Sequence, residues 1–234
     1  MTIRRAAIAA IAATLALGAC ARENADERFV RVVKQLRPSV VLLTMKIPPE
    51  NKKDQYDDGY ASGFVVASGD WGSDILSVEH AIEGAWDLSV TVGNRDRVPV
   101  NVVARDATLD LAVLRTPRRN LPVLALGSSS NLEDQLGRQV ALLGYPIPDE
   151  FDDEGLGLKT SVTTGILSSV RHQALEVTLA VIPGDSGAPV FIADTGEVIG
   201  IAESRFDDER SIGFALPIDD AKTWLHKVDQ THGF

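Results

Sequence analysis

Pro183-Gly184-Asp185-Ser186-Gly187-Ala188-Pro189-Val190 is the stretch on which the reading of this chain turns. Glycines at 184 and 187 free the backbone on both sides of Ser186, so that N–H groups can be aimed at a common point. A serine hydroxyl is a weak nucleophile until a base, a group that orients the base, and donors for a developing oxyanion surround it. Gly-Asp-Ser-Gly is equally good chemistry for a tight β-turn without activity. The rest of the chain has to separate the two readings.

Four histidines exist, at 80, 172, 226 and 232. His226 and His232 fall on a terminal helix and tail. His172 follows Arg171 in a candidate hairpin turn. All three read as surface residues. His80 instead closes Asp74-Ile75-Leu76-Ser77-Val78-Glu79-His80, just past an apolar strand, where a rigid scaffold can hold a base. Asp110 opens Asp110-Leu111-Ala112-Val113-Leu114, an acid fused to another apolar strand and suited to hold an imidazole tautomer. Asp106 fits better as a solvated turn residue. The order His80, Asp110, Ser186 is that of chymotrypsin, and differs from subtilisin and the α/β-hydrolases.

Outward from these residues the chain reads as short strands broken by Gly, Asp, Asn or Pro: 39–44, 61–67, 74–78, 87–92, 98–104 and 111–115, then 139–144, 159–168, 174–181, 188–193, 197–204 and 211–216. Many short strands without alternating long helices predict a sandwich or a barrel. Residues 29–36 carry apolar residues at helical spacing and stop at Pro38, and 217–228 reads as a helix with acids in its first turn. Two acidic stretches, 48–59 and 148–155, read as solvated loops; no regular ligand spacing makes the second a cation site.

The 234 residues carry 23 Lys+Arg against 33 Asp+Glu, a formal charge of −10, which argues against a nucleic-acid partner. At the N-terminus, Arg4 and Arg5 precede an uncharged run from Ala6 to Leu17, too short to span a bilayer and suited to a signal peptide. The run ends in Leu17-Gly18-Ala19-Cys20, which resembles the lipobox of bacterial lipoproteins. Lipidation of Cys20 is therefore expected, the alternative being an ordinary signal peptide cleaved nearby. Cys20 is the single cysteine, so no intramolecular disulfide can form. The expected organisation is a lipoprotein signal over 1–19, a tether over 20–30 and one domain over 31–230. The chain would be exported and anchored in the cell envelope, facing the periplasm.

From about Val32 to Leu225 the chain resembles a trypsin-like peptidase domain of the HtrA (Deg) type. The blocks that carry the resemblance, in order, are Ala61-Ser62-Gly63-Phe64-Val65, Ile75-Leu76-Ser77-Val78-Glu79-His80, Asp110-Leu111-Ala112-Val113-Leu114, Leu143-Gly144-Tyr145-Pro146, Thr163-Thr164-Gly165-Ile166-Leu167-Ser168, the Ser186 octapeptide and Ile212-Gly213-Phe214-Ala215-Leu216-Pro217. The resemblance implies an all-β fold of two antiparallel six-stranded barrels, roughly 39–120 and 121–216, followed by the 217–228 helix. It implies a serine endopeptidase acting on proteins or peptides, with no cofactor and no metal. It also implies oxyanion donors at the N–H groups of Gly184 and Ser186. A cleft that holds unfolded peptides without cutting, or a scaffolding lipoprotein, are the competing roles.

Two departures stand out. Ala188 replaces a second glycine after Ser186, and Glu79 replaces a small or neutral residue beside His80; Glu79 is expected to be solvated. The chain ends soon after Leu225, so a PDZ domain like that of many HtrA proteins is not expected. In this fold the primary specificity pocket is walled by residues before the nucleophile and by two later strands. Here those are Ala180 and Val181, then Ala202, Glu203 and Ser204. Ala180 stands where a trypsin-like enzyme carries Asp, so small apolar residues are expected at the cleaved position. A Glu203 carboxylate turned into the pocket would favour basic ones.

Overall fold

The computed structural model describes residues 23–48, 56–93, 97–203 and 212–232. Cys20 and Ser204 lie outside them, so the lipidation site and one expected pocket residue receive no structural account.

The first half is a seven-stranded antiparallel sheet ordered β5-β4-β1-β2-β3-β7-β6. Its strands are β1 (Val40–Ile47), β2 (Asp57–Gly69), β3 (Gly72–Ser77), β4 (Trp86–Val92), β5 (Val98–Pro99), β6 (Asn101–Asp106) and β7 (Leu111–Thr116). The expected single strand 98–104 is split at Val100. Pro99 has no N–H to donate to a ladder. Before the split the chain pairs with β4, and after it with β7. These are opposite edges of the sheet, yet one residue separates β5 from β6. The sheet is therefore forced to curl until its edges meet. Counted as one kinked strand, β5 and β6 make up the sixth stave of the expected barrel.

The second half closes fully through hydrogen bonds, in the order β10-β13-β12-β11-β8-β9. Its strands are β8 (Gln139–Gly144), β9 (Ser161–Arg171), β10 (Ala174–Val177), β11 (Pro189–Ile192), β12 (Val198–Glu203) and β13 (Gly213–Pro217). The strand expected over 174–181 ends at Val177, and Thr178 makes the last bonds to the neighbouring strand, its N–H donating to Ile166 C=O and its hydroxyl accepting from Ile166 N–H, both at 3.0 Å.

Successive side chains on a strand face opposite ways, and the core follows that rule. On β1, Val41 and Leu43 fill the first barrel, whereas Val40 and Leu42 face the second half. On β8, Val140 and Leu142 fill the second barrel and Ala141 and Leu143 face back. The shared layer, with Phe64, Tyr145 and Phe191, cements the halves. Strands that are apolar on both faces lie where the barrels meet.

Helix α1 (Ala25–Leu36) begins four residues before the apolar spacing predicts. Asn24 Oδ1 accepts from Glu27 N–H at 2.8 Å, and a Glu27 carboxylate oxygen accepts from Asn24 N–H at 3.1 Å. This capping box satisfies otherwise orphaned donors, so part of the expected tether is helical. Residues 148–155, expected as a loop, contain the short helix α2 (Pro148–Asp153). Helix α3 (Ile218–His232) packs Ala221, Trp224 and Val228 into the shared layer. Its first turn is pinned by Asp219, which accepts from Ser128 Oγ and Ser129 N–H, both at 2.8 Å. Among the described residues no helix is long and apolar enough to cross a membrane.

Candidate active site

β3 and β7 are paired through Ser77 and Ala112, so residues just past the end of β3 lie level with those just before β7. That register brings His80, in a short 3₁₀ turn, against Asp110. Asp110 Oδ1 accepts from the His80 main-chain N–H at 2.8 Å, and Oδ2 lies 2.7 Å from Nδ1. One carboxylate thus fixes both the backbone and the ring of one residue. With Nδ1–H donating to Asp110, Nε2 is left as the basic nitrogen. Asp110 sits at φ +54°, a region Asp tolerates better than most residues. The Asp110 hydrogen bond raises the His80 pKa above its ordinary value against the opposing effect of burial, and the charges of Asp110, Glu203 and Glu79 add to the rise.

Glu79 is buried rather than solvated, with Oε1 3.6 Å from Arg105 Nη1. The turn that presents His80 folds its neighbour underneath, where the ion pair with β6 offsets part of the desolvation.

The Ser186 segment is two consecutive tight turns. Asp185 N–H donates to Ile182 C=O at 2.9 Å, and Ala188 N–H to Asp185 C=O at 2.8 Å. The third position of each is glycine at positive φ, Gly184 at +93° and Gly187 at +86°. Type II turns require this. A Cβ on Gly184 would lie 2.2 Å from Tyr145 O, and one on Gly187 2.2 Å from Ser62 O. The turn reading of this stretch holds, and it is compatible with the nucleophile reading, since the two turns flank the serine.

The two halves meet here through β2. Ser62 N–H donates to Ser186 C=O at 2.9 Å, and Ser77 Oγ, at the end of the strand that leads to His80, donates to Ser62 C=O at 2.8 Å. Ser186 is thereby tied, through Ser62 and Ser77, to the end of the strand that leads to His80. No hydrogen bond joins its hydroxyl to His80 among the described residues, as is common before substrate tightens a site.

Pro183 C=O accepts from Ile147 N–H at 2.7 Å. In a planar trans peptide the C=O and the following N–H point opposite ways. The Gly184 N–H therefore faces away from Ile147, and neither it nor the Ser186 N–H has an acceptor among the described residues. Nothing in the sequence around Ser62 or Ile147 signals a functional role by itself; the Pro-Ile-Pro at 146–148 is the one local sign of an unusual turn.

Asp185 is almost wholly buried, its Oδ1 has no hydrogen-bond partner, and Oδ2 accepts only a long 3.4 Å bond from Ile182 N–H. Burial pushes its pKa up to about 7.

Of the expected pocket residues, Ala180 and Val181 are half-buried. Val181 Cγ2 lies 2.7 Å from where a Cβ on Gly213 would sit, so the 179–181 segment and β13 face each other closely. Ala202 is wholly buried in the second barrel's core, and its C=O accepts from Gly187 N–H at 2.9 Å. Glu203, also buried, is near enough to His80 for its charge to act there. His172 and His226 are exposed. No three His, Cys, Asp or Glu side chains converge as metal ligands among the described residues.

Comparison with known proteins gives a consistent set of matches. Residues 61–201 match a family described as "Trypsin-like peptidase domain". The putative serine protease HhoB of Synechocystis sp. is 32% identical over 189 residues, covering 76% of this chain and 41% of that protein. A probable periplasmic serine endoprotease, DegP-like, of Halomonas elongata is 33% identical over 169 residues, covering 68% of this chain and 32% of its own. The chain thus spans less than half the length of these curated relatives. The crystal structure of the serine endoprotease from Yersinia pestis superposes with a TM-score of 0.68 at 27% identity, over 86% of this chain and 66% of that one.

Proposed function

Because the chain belongs to the trypsin-like peptidase domain family, with relatives of the HtrA/DegP type, we propose that it is a serine endopeptidase with Ser186 as nucleophile, His80 as base and Asp110 as orienter. The observation that carries the reading is the doubly bonded His80–Asp110 pair, linked through Ser77 and Ser62 to a serine flanked by two glycine turns. Ser186 Oγ attacks a peptide carbonyl, and His80 Nε2 accepts its proton. The oxyanion is received by the N–H groups of Gly184 and Ser186. His80 then protonates the leaving amine, and water repeats the sequence on the acyl-enzyme. Asp110 stays ionised and stabilises the imidazolium.

The substrates are exported or misfolded proteins of the cell envelope, in keeping with the periplasmic description of DegP-like relatives. The lipobox-like Leu17-Gly18-Ala19-Cys20 supports a lipid anchor at Cys20. A diacyl anchor suits the purpose, since one acyl chain binds a bilayer only marginally. For the cleaved position, Ala180 and Val181 favour small apolar residues, Val, Ala, Ile or Thr. No acid stands at position 180 to pair a buried Lys or Arg.

A fluorophosphonate reagent tests the core of this reading. Ser186 is the expected site of labelling, and Ser186→Ala abolishes both labelling and casein cleavage. A protein that cleaves casein after loss of Ser186 would refute it. Profiling on a peptide library reads the pocket, where dominant Arg/Lys preference lost in Glu203→Gln would reassign the pocket wall.

A further inference from the structure

Two peptide planes flank the Gly184 α-carbon, and each is gripped from outside the nucleophile turn. The 183–184 plane is held at Pro183 C=O by the N–H of Ile147, 2.7 Å away. The 184–185 plane is held at Gly184 C=O by Ser62 Oγ, which donates at 2.7 Å. Ser62 Oγ also accepts from Tyr145 N–H at 2.9 Å, so its hydroxyl ties Gly184 to the same 145–148 segment that supplies Ile147. Ser62 is fully buried.

The segment is specialised for this. Ile147 has φ +34° and ψ +56°, a left-handed conformation that a β-branched residue avoids. Pro148 follows it and disfavours the right-handed helical alternative. Strain of this kind persists only where surrounding structure enforces it, and it collects at functional sites. The strained turn aims one N–H at one carbonyl. A peptide flip between 183 and 184 would break that bond, turn Pro183 C=O toward the position of the oxyanion and withdraw the Gly184 N–H.

We infer that Ser62 and Ile147 form a two-point clamp that holds the Gly184 peptide in its oxyanion-binding orientation, Ser62 through its hydroxyl and Ile147 through a main-chain N–H. Both are positioning residues, and the inference rests on the proposed role of Gly184 and Ser186 as oxyanion donors. Donors aimed in advance are worth most where charge develops in the transition state, so loss of the clamp lowers kcat and leaves ground-state binding nearly intact.

The test uses the full chain and compares wild type with Ser62→Ala. With fluorescent casein, kcat is expected to fall by about 10²-fold, the scale of one lost oxyanion donor, with KM within about threefold. Fluorophosphonate labelling slows in parallel, yet its end point stays at one label per chain, which a partly misfolded protein would not reach. Ser62→Thr, which keeps the hydroxyl, restores most of the labelling rate. If Ser62→Ala does not fold, Ser62→Cys, close in size and a much weaker hydrogen-bond donor, loosens the same grip and is read the same way. Labelling at the wild-type rate, or a KM that rises in step with the fall in kcat/KM, overturns the clamp while leaving the peptidase reading intact. A wild type that neither labels nor cleaves removes that reading and the clamp with it.

Discussion

The two halves of the molecule supply the candidate site by different means. The first, curled half contributes His80 and Asp110 through side-chain hydrogen bonds between strand ends. The second, closed barrel contributes Ser186 through main-chain turns whose glycines have no room for a Cβ. Their acids differ in the same way. Asp110 is partly solvated and uses both oxygens, whereas Asp185 is buried with one oxygen unpartnered. Side-chain machinery can be retuned by charge and pH, while main-chain machinery works or fails with the shape of the backbone.

The largest expected effect lies on the side-chain half. Asp110→Asn is expected to lower kcat by about 10⁴-fold, because the amide no longer holds the tautomer or stabilises the imidazolium. Wild-type kcat/KM is expected to fall on acidification through the raised His80 pKa, since imidazolium accepts no proton. Loss of the Asp110 bond and charge moves that limb to lower pH. A pH–rate profile of both proteins checks it, and an unmoved limb would detach Asp110 from His80.

On the main-chain half, Gly187→Ala meets backbone at 2.2 Å and a φ of +86°. Fluorophosphonate labelling is expected to slow by about 10²–10³-fold, the scale of losing an oxyanion donor. Labelling at the wild-type rate would show that the turn can be built with a side chain there.

Asp185 predicts a stability effect of opposite sign to most core changes. Its folded pKa of about 7 lies above that of a free carboxyl, so the folded state prefers the neutral acid. The stability this provides is full below the unfolded pKa and is lost as pH rises to about 7. Asp185→Asn is expected to match wild type near pH 3.5 and to exceed it at pH 8 by on the order of 2–4 kcal/mol. Urea midpoints at the two pH values read this, and equal midpoints at pH 8 would mean that the acid has found a partner.

The smallest effect belongs to Glu203, whose charge reaches across from the second barrel to His80. Glu203→Gln is expected to move the acid limb of the pH–rate profile to lower pH by less than Asp110→Asn does, with kcat on the plateau nearly unchanged. A shift as large as that of Asp110→Asn would make the two carboxylates equal partners of the imidazole.

From the amino-acid sequence came what local pattern can encode. Alternation made the strands legible, because each barrel strand has an inner and an outer face. The glycines at 184 and 187 marked turns, and the acid and histidine at strand ends marked a pair that the fold brings together. What the tertiary structure alone decided depends on contacts far apart in the chain. Ser62 and Gly184, 122 residues apart, share a hydrogen bond that leaves no local signature. The break at Val100 follows from which edges of a sheet are free, and the burial of Glu79 from what packs over the His80 turn. A period of two residues is a property of one strand, but the direction in which a peptide N–H points at Gly184 is a property of everything packed around it.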